Sequence, residues 1–242
     1  SHAFRSLSLY GLVLSAVMVG VPDARAQQAA PAQPASETCV QRGFMAGPAT
    51  YKSVEVLPDG RVTFRLCAPD ADTVSVISSD AADVIPMGIG GGPAGLPMTK
   101  GEKGLWSVTT ARPVAPDNYR FNFSVNGVKV PDPQSTTFTT DRIGVNSTFE
   151  VPGEAGKFQA WNRDVPHGSV SVVEYWSDSI GAKRRAHVYT PPGYQRSGKS
   201  YPVLYLVHGA GDSDDSWTGT GHAHYILDNL IAAKSAKPML IV

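Results

Sequence analysis

A strict alternation of apolar and polar residues governs the first part of this chain, and turn-forming sequences interrupt it at short intervals. The alternating apolar positions are Val54, Val56, Val62, Phe64, Leu66, Val74, Val76, Trp106, Val108 and the segment 119–125. Pro58-Asp59-Gly60 and Asn126-Gly127 fall between such runs, and both are hairpin turn signals. Since no convincing helical pattern lies between the runs, residues 39–151 are predicted to form a small antiparallel β-sandwich.

After Val151 the pattern changes from closely spaced strands to longer, more varied elements. The expected elements are strands at 169–176 and 186–189, a continuous apolar strand at 203–207 of the kind covered on both faces, a helix carrying Tyr225, Ile226, Leu230 and Ile231 that Pro238 stops, and a buried strand starting at 239–242. Strand, helix, strand is the start of a doubly wound α/β sheet. Residues 152–168 are predicted to be a linker, and residues 169–242 to be the N-terminal, incomplete part of that second domain.

The N-terminal segment is typical of a secretory signal peptide. Arg5 precedes an apolar run from Leu7 to Val21, and Ala24-Arg25-Ala26 follows as a small-x-small cleavage pattern. A membrane anchor is the competing interpretation, but the run is shorter than the roughly 20 apolar residues that span a bilayer. We therefore expect a signal peptide at 1–26, a flexible Ala/Pro/Gln-rich leader at 27–38, and an exported protein, periplasmic or secreted, with no membrane attachment after cleavage.

The charge balance argues against nucleic-acid and anionic-membrane partners. The 242 residues contain 21 Lys and Arg and 21 Asp and Glu, so the formal net charge is zero. A neutral substrate is the better default, because non-specific binding to phosphates depends on excess positive charge. Cys39 and Cys67 are the only cysteines. Either the two form a disulfide, or Cys67 is a buried free thiol on a strand.

Three motifs in a fixed order carry a resemblance to a known family: Val165-Pro-His-Gly168, Val188-Tyr-Thr-Pro-Pro-Gly-Tyr194 and Tyr201-Pro-Val-Leu-Tyr-Leu-Val-His-Gly209. They resemble the esterase family that includes enterochelin esterases and the feruloyl and acetyl-xylan esterases of the esterase D group. The resemblance implies an α/β-hydrolase domain with a serine nucleophile, a histidine and an acid, and no cofactor or metal. Residues 40 to about 150, with Val130-Pro-Asp-Pro133, are similar to the immunoglobulin-like, carbohydrate-binding-type module that often precedes it.

The sequence His208-Gly209-Ala210-Gly211 follows the apolar strand directly, and its small residues leave backbone N–H groups uncovered. The resemblance implies that the amides of Ala210 and Gly211 form half of an oxyanion hole, while a tight turn that needs glycine is the alternative. His208 is expected to brace this loop. No Gly-x-Ser-x-Gly occurs in the sequence, so no catalytic residue is assigned here and the triad is expected beyond Val242.

The expected function is that of a carboxylic ester hydrolase acting on feruloyl or acetyl esters of plant polysaccharide, or on similar small-molecule esters, through a serine acyl-enzyme in the full-length protein. Residues 1–242 alone are expected to be inactive. The alternative is a non-catalytic carbohydrate-binding or interaction module with a vestigial hydrolase segment. Trp106 and Tyr119 are its candidate sugar-stacking residues, although alternation favours a core position for Tyr119.

The residues after Gly211 include further candidates for substrate or metal binding. Asp212 and Trp217 are predicted to contact substrate, although Trp217 is equally expected to pack under the loop. Asp212, Asp214 and Asp215 resemble a calcium loop only loosely, and acids that favour the next helix N-terminus are the preferred interpretation over metal. His222 and His224 lie two apart, which on a helix prevents joint metal ligation. The glycine run at 88–92 is expected to be a loop between strands, not a phosphate cradle.

Overall fold

A computed structural model of the chain describes Cys39, residues 49–88 and residues 94–242. These residues all lie within one compact unit, residues 36–242. The predicted signal peptide (1–26), the leader (27–38) and residues 89–92 of the glycine run lie outside the described residues. Strands dominate and helices are few and short. None of the helices in this described part has the length and apolar character needed to cross a bilayer.

Among the described residues between 54 and 151, ten strands, β1 to β10, form two antiparallel sheets. The first sheet has the order β1-β2-β6-β5 and the second the order β4-β3-β7-β10-β9, with β8 paired to β7. Their bounds are β1 Val54–Val56, β2 Val62–Cys67, β3 Val74–Ile77, β4 Leu96–Pro97, β5 Thr99–Lys100, β6 Leu105–Thr109, β7 Asp117–Val125, β8 Val128–Val130, β9 Phe138–Asp141 and β10 Gly144–Val151. Both predicted hairpins, β1–β2 and β7–β8, are confirmed.

The turn between β7 and β8 shows why the sequence signal was strong. Asn126 and Gly127 both have positive φ, +48° and +82°. A two-residue turn with this geometry matches the twist of the flanking strands, and asparagine followed by glycine adopts it with the least steric cost. The Asn126 carboxamide oxygen also accepts hydrogen bonds from the backbone N–H groups of Asp72 and Thr73, which ties the turn to the start of β3.

The two sheets share one hydrophobic core. Phe64 of the first sheet has its ring centroid 5.4 Å from that of Phe121 and 5.3 Å from that of Phe149, both on the second sheet. These three side chains are buried. Such offset and edge-to-face aromatic contacts stabilise the interface beyond simple area burial. The residues therefore form a two-layer β structure, and its immunoglobulin-like identity stays a prediction.

Cys39 and Cys67 form a disulfide, so of the two interpretations left open by the sequence the buried free thiol is wrong. The bond joins the end of β2 to a residue 28 positions earlier. By the chain-entropy estimate, closing a loop of this length stabilises the folded state by about 3 kcal/mol.

A third sheet follows with the order β11-β12-β14-β13. Its elements are β11 Ser169–Ser177, β12 Ala182–Thr190, α1 Tyr194–Ser197, β13 Val203–Leu204, α2 Ser216–Gly219, α3 Ala223–Ala232 and β14 Leu240–Ile241. β11 and β12 form a long antiparallel hairpin, and β13 pairs in parallel with β14. The predicted strand–helix–strand order is confirmed by β13, α3 and β14.

The prediction that 203–207 is one strand covered on both faces is wrong. β13 contains only Val203 and Leu204, and their exposed fractions are 42% and 43%. The reason is its position at the edge of the sheet, where within the described residues it has a hydrogen-bonded strand neighbour on one side only. An apolar sequence shows that a strand is suited to burial. Whether the strand is buried depends on the strands and helices that pack against it.

The prediction that Pro238 stops the last helix is also wrong. α3 ends at Ala232, the Ala233 N–H still bonds to the Asn229 carbonyl, and Lys234 then adopts a left-handed conformation with φ +58°. The change of backbone conformation at Lys234 ends the helix before proline is reached. Pro238 lies in the segment that leads into β14.

Candidate active site

The loop after β13 presents unpartnered backbone amides to solvent. The Leu206 N–H still donates to the Val242 carbonyl, 2.8 Å away, and beyond it the chain leaves the sheet. Ala210 and Gly211 are exposed. Their amides donate to no residue in the described part of the chain. Gly211 has φ +89°, and a Cβ placed there would meet nothing within 4 Å, so this position faces open space and its conformation favours glycine.

This loop lies at the carboxyl edge of the parallel strand pair. Val203 and Leu204 pair in register with Leu240 and Ile241, so the chain leaves both strands at the same edge. β12 runs antiparallel to β14, with Tyr189 opposite Ile241. The beginning of β12, Lys183 to Arg185, is therefore brought to that edge as well. Open α/β sheets place their ligand sites there.

The turn between β9 and β10 packs against the same loop. The Arg142 N–H donates to the Gly211 carbonyl at 2.7 Å, and Asp141 and Asp212 form an isolated β-bridge. These contacts fix the peptide that follows Gly211. The second sheet thus holds the loop whose amides are exposed.

Arg120 of β7 forms a clamp that joins the loop, through Asp212, to Asp80 after β3. Its guanidinium makes two hydrogen bonds to Asp80, of 2.9 and 2.8 Å, and a third of 2.6 Å to Asp212. The hydrogen bonds to Asp80 raise the pKa of Arg120 above its ordinary value, although burial opposes this. Burial would raise the pKa of Asp80, but its bonds to Arg120 outweigh burial and the pKa of Asp80 is lowered. Asp212, predicted to contact substrate, is therefore in an ion pair.

The other two acids of the loop are also bound. The Asp214 carboxylate accepts two hydrogen bonds from Arg185 of β12, at 2.7 and 2.8 Å, and these lower its pKa. The Nδ1 atom of His187 lies 3.1 Å from Asp214 but is not aligned for a hydrogen bond. Asp215 is the N-cap residue of α2, yet its side chain makes no cap hydrogen bond. Its carboxylate instead accepts from Thr139, Thr140 and Ser213.

The predicted function of these acids at the helix N-terminus is thus replaced by anchoring to β9 and β12. Except for Ser213, these hydrogen-bond donors are distant from the two acids in the sequence, and the helix that follows has only four residues. Among the residues that the structure describes, no group of three His, Cys, Asp or Glu side chains is arranged to hold a metal ion.

Two adjoining depressions lie beside the loop, and Arg184, Arg185, His208 and Asp214 line both of them. The aromatic pocket has a volume of about 220 Å³. Its aromatic lining consists of Tyr175, His187, Tyr189, Tyr205, His208, Trp217 and His224. Trp217 is half-exposed, and its Nε1–H donates to the Val207 carbonyl at 3.1 Å, so its ring is held at the pocket wall. The charged cleft has a volume of about 540 Å³ and includes Gly211 and Asp212.

The two histidines at the start of α3 have separate functions. Asn118 donates to the Nε2 atom of His222, and the His222 Nδ1–H donates to the Gln159 carbonyl, so His222 is a neutral, hydrogen-bonded residue that ties α3 to β7. His224 lines the aromatic pocket, and its Nδ1 has no partner among the described residues. Burial, and secondarily His222, lower the pKa of His224 to about 4. Sequence reasoning missed His224, Arg142 and Arg184 as lining residues.

Two of the three sequence motifs meet at one buried carboxylate. Asp228 of α3 accepts hydrogen bonds from Tyr189 Oη at 2.6 Å, from the Gly168 N–H at 3.0 Å and from His167 Nδ1 at 2.9 Å. Burial and the Asp228 carboxylate raise the pKa of Tyr189. Asp228 holds the segment before β11 to α3, so these motif residues support the fold of the site.

The two aromatic candidates for sugar stacking lie in the core. Trp106 is buried and its Nε1–H donates to the Ala68 carbonyl at 2.8 Å. Tyr119 is buried, with its hydroxyl bonded to the Ala115 carbonyl and its ring stacked 5.4 Å from that of Phe149. Neither ring offers a face to a saccharide.

The site and the matches to known proteins define an esterase-like chain. Residues 177–242 match the family model described as Putative esterase. The chain is also 35% identical over 188 residues to an endo-1,4-beta-xylanase/feruloyl esterase of Xylanibacter ruminicola. That match covers 76% of this chain and 24% of the relative, so the chain spans about a quarter of its length. The predicted resemblance to the esterase family is confirmed.

Two solved esterase structures are similar to part of the chain, each with a TM-score below 0.5. The crystal structure of enterochelin esterase from Shigella flexneri is 15% identical, with a TM-score of 0.48 over 78% of this chain and 53% of that chain. The ferulic acid esterase structure from Anaeromyces mucronatus is 29% identical, with a TM-score of 0.33 over 35% of this chain and 31% of that chain.

Proposed function

We propose that this chain supplies the oxyanion-hole loop and the substrate cleft of a carboxylic ester hydrolase. The observation that carries the proposal is the pair of exposed amides at Ala210 and Gly211, which donate to no described residue and lie at the carboxyl edge of β13 and β14. Attack on an ester carbonyl places negative charge on its oxygen, and preorganised backbone donors stabilise that charge. One such donor contributes about 3 kcal/mol to transition-state stabilisation.

The chemistry we propose is acyl transfer through a serine ester followed by hydrolysis with water, without a cofactor. A sequence Gly-x-Ser-x-Gly does not occur in this chain, and we assign no residue of it as nucleophile, general base or triad acid. His208 lies exposed beside the loop, with Nδ1 2.9 Å from the Gly209 carbonyl, and acts as a brace. The clamp from Arg120 to Asp212 keeps the loop in place without reorganisation during the reaction.

The substrates we propose are feruloyl or acetyl esters of plant polysaccharide, or similar esters. The match to a relative named as a xylanase/feruloyl esterase supports this class. The aromatic pocket supports it independently, because Tyr175, Tyr205 and Trp217 provide flat apolar surfaces within a volume of about 220 Å³ beside the loop. A phenolic ring packs favourably against such side chains.

We further propose that residues 39–151 are an immunoglobulin-like module, that residues 152–168 link it to the N-terminal part of an α/β-hydrolase domain at 169–242, and that the protein is exported. The two-layer β structure with one aromatic core supports the first assignment. The disulfide between Cys39 and Cys67 supports export, because such bonds persist in oxidising compartments.

The decisive experiment removes one amide N–H. Ala210→Pro, in the protein expressed from its full reading frame, is expected to lower kcat for ethyl ferulate by about 10²- to 10³-fold with little change in KM. Ala210→Ser keeps the N–H at the same position and serves as the matched control, with kcat near wild type. Equal kcat for Ala210→Pro and Ala210→Ser would remove the oxyanion assignment.

A second assay tests where the nucleophile lies. Purified 1–242 is expected to turn over p-nitrophenyl acetate no faster than buffer. Saturable hydrolysis that a serine-directed inhibitor abolishes would show that a residue of this chain is the nucleophile.

A further inference from the structure

The charged cleft beside Gly211 is lined by two arginines, Arg142 and Arg184, that form no ion pair with a described carboxylate. Four carboxylates and four arginine or lysine side chains line it. Each carboxylate has a cationic partner: Asp141 has Lys129, Glu174 has Lys183, Asp212 has Arg120 and Asp214 has Arg185. Arg120 and Lys129 lie outside the lining. Arg142 and Arg184 are therefore the two lining cations that no ion pair within the described residues involves.

Both guanidinium groups are available to a ligand. Arg142 and Arg184 are exposed, and neither side chain makes a hydrogen bond or ion pair with any residue in the described ranges. Arg142 is fixed through its backbone, because its N–H donates to the Gly211 carbonyl. Arg184 is on β12, opposite Tyr175 in the hairpin register. The two arginines come from different sheets and line one cleft of about 540 Å³.

We propose that the charged cleft binds a carboxylate on the alcohol side of the ester substrate, such as a uronic acid substituent of the polysaccharide, through Arg142 and Arg184. This inference rests on the proposed function, since the cleft adjoins the amides assigned to the oxyanion hole. Guanidinium groups are the preferred protein partners of carboxylates because their N–H fork matches the two oxygens.

The aromatic pocket indicates which part of the ester substrate, acyl or alcohol, lies in the charged cleft. The aromatic pocket and the charged cleft adjoin, and they share the lining residues Arg184, Arg185, His208 and Asp214. A phenolic acyl group fits the aromatic pocket, which leaves the charged cleft for the alcohol. The cleft has no aromatic side chain in its lining apart from the imidazole of His208, so it suits a hydrated, charged saccharide better than a second ring.

Calorimetric titration of the purified chain tests this inference without requiring turnover. The probes are xylotriose carrying a 4-O-methylglucuronate substituent, unsubstituted xylotriose, and free ferulate. At low salt the acidic trisaccharide is expected to bind about fivefold more tightly than the neutral one, and added sodium chloride is expected to remove this difference. Arg142→Gln and Arg184→Gln are each expected to abolish most of the preference.

Two variants control for charge in general. Arg196→Gln removes an exposed arginine on α1 that lies outside the cleft and makes no ion pair with a described carboxylate, and it is expected to retain the preference. Arg142→Lys keeps the charge and is expected to retain part of it. Circular dichroism checks that each variant folds.

Equal binding of the two trisaccharides, or a preference that survives both Arg→Gln substitutions, would overturn the inference. Arginine-dependent binding of ferulate in place of the acidic trisaccharide would overturn it too, because the carboxylate would then be that of the acid product. Failure here leaves the esterase proposal intact if Ala210→Pro still lowers kcat. Acid-selective binding in a protein without esterase activity would instead reject the proposed function and its use of the cleft.

Discussion

A single buried carboxylate, that of Asp228, joins three separate segments of the chain next to this site. Its side chain is 2% exposed and accepts hydrogen bonds from a tyrosine hydroxyl, a backbone amide and an imidazole. Removing one partner of such a buried set leaves the others unsatisfied. We expect Asp228→Ala to lower the free energy of unfolding by about 3 kcal/mol, measured by urea denaturation.

The control for Asp228 is a surface pair. Asp164 and Arg163 are both exposed and 3.3 Å apart, and Asp164→Ala is expected to leave the urea midpoint unchanged. If Asp228→Ala were as mild as Asp164→Ala, the three hydrogen bonds would contribute nothing net to stability.

His224 makes stability depend on pH in a defined window. Burial lowers the pKa of His224 to about 4 from an ordinary 6.5. The folded state therefore prefers the neutral ring, so this contribution is complete above pH 6.5 and is lost as the pH falls towards 4. Since the ring is partly exposed, we expect about 1–2 kcal/mol across the window, less than the full shift implies.

The measurement compares wild type with His224→Gln by urea denaturation at several pH values. The variant is expected to lose less stability between pH 6.5 and 4 than wild type. The carboxylates with lowered pKa, Asp80, Asp141 and Asp214, titrate below this window and are common to both proteins. Parallel pH profiles would show that His224 is not buried in its neutral form.

At the scale of elements, the loop after β13 is held by strands of the second sheet. Arg120 of β7 bonds to Asp212, and Thr140 of β9 donates its N–H to Asp215. We expect Arg120→Leu to speed hydrogen exchange at the amides of Thr140, Arg142 and Asp212 by about tenfold, because two charge-assisted interactions are lost. Proton exchange followed by NMR measures this effect.

Arg61→Leu is the matched control for Arg120→Leu. Arg61 pairs with Asp59 in an exposed turn at the tip of the β1–β2 hairpin, and its loss is expected to leave those three amides unchanged. Unchanged exchange in Arg120→Leu would mean that the β9–β10 turn holds the loop without the clamp.

The strands that bury alternating apolar side chains could be predicted from the sequence. Strands that bury polar side chains could not. β10 contains Asn146, Ser147 and Thr148, which are buried because each finds a hydrogen-bond partner, as when the Asp132 N–H donates to Ser147 Oγ. A hydropathy pattern does not predict such hydrogen-bond partners. The position of the glycine loop was readable from the chain, whereas its clamp was not, since Arg120 and Asp212 are 92 residues apart.

For the whole molecule, the first two sheets differ from the third in how completely they bury their apolar side chains. The first two enclose a core with residues such as Phe64 and Phe123 fully buried. The third sheet buries Tyr189 and Ile241 beside α3. Along β11, Val172 and Trp176 on one face are 56% and 63% exposed, and Val173 and Tyr175 on the other are 43% and 49% exposed.

Apolar strand surface of this extent favours self-association of the purified chain. We expect the weight-average mass of 1–242, measured by sedimentation equilibrium, to rise between micromolar and millimolar concentration. Val172→Lys and Trp176→Lys are expected to reduce that rise, because a charged side chain on an exposed strand opposes pairing. Val128→Lys, on the exposed hairpin strand β8, changes the net charge equally but lies outside this surface. If it suppressed association as strongly, net charge and not the surface of β11 would control association.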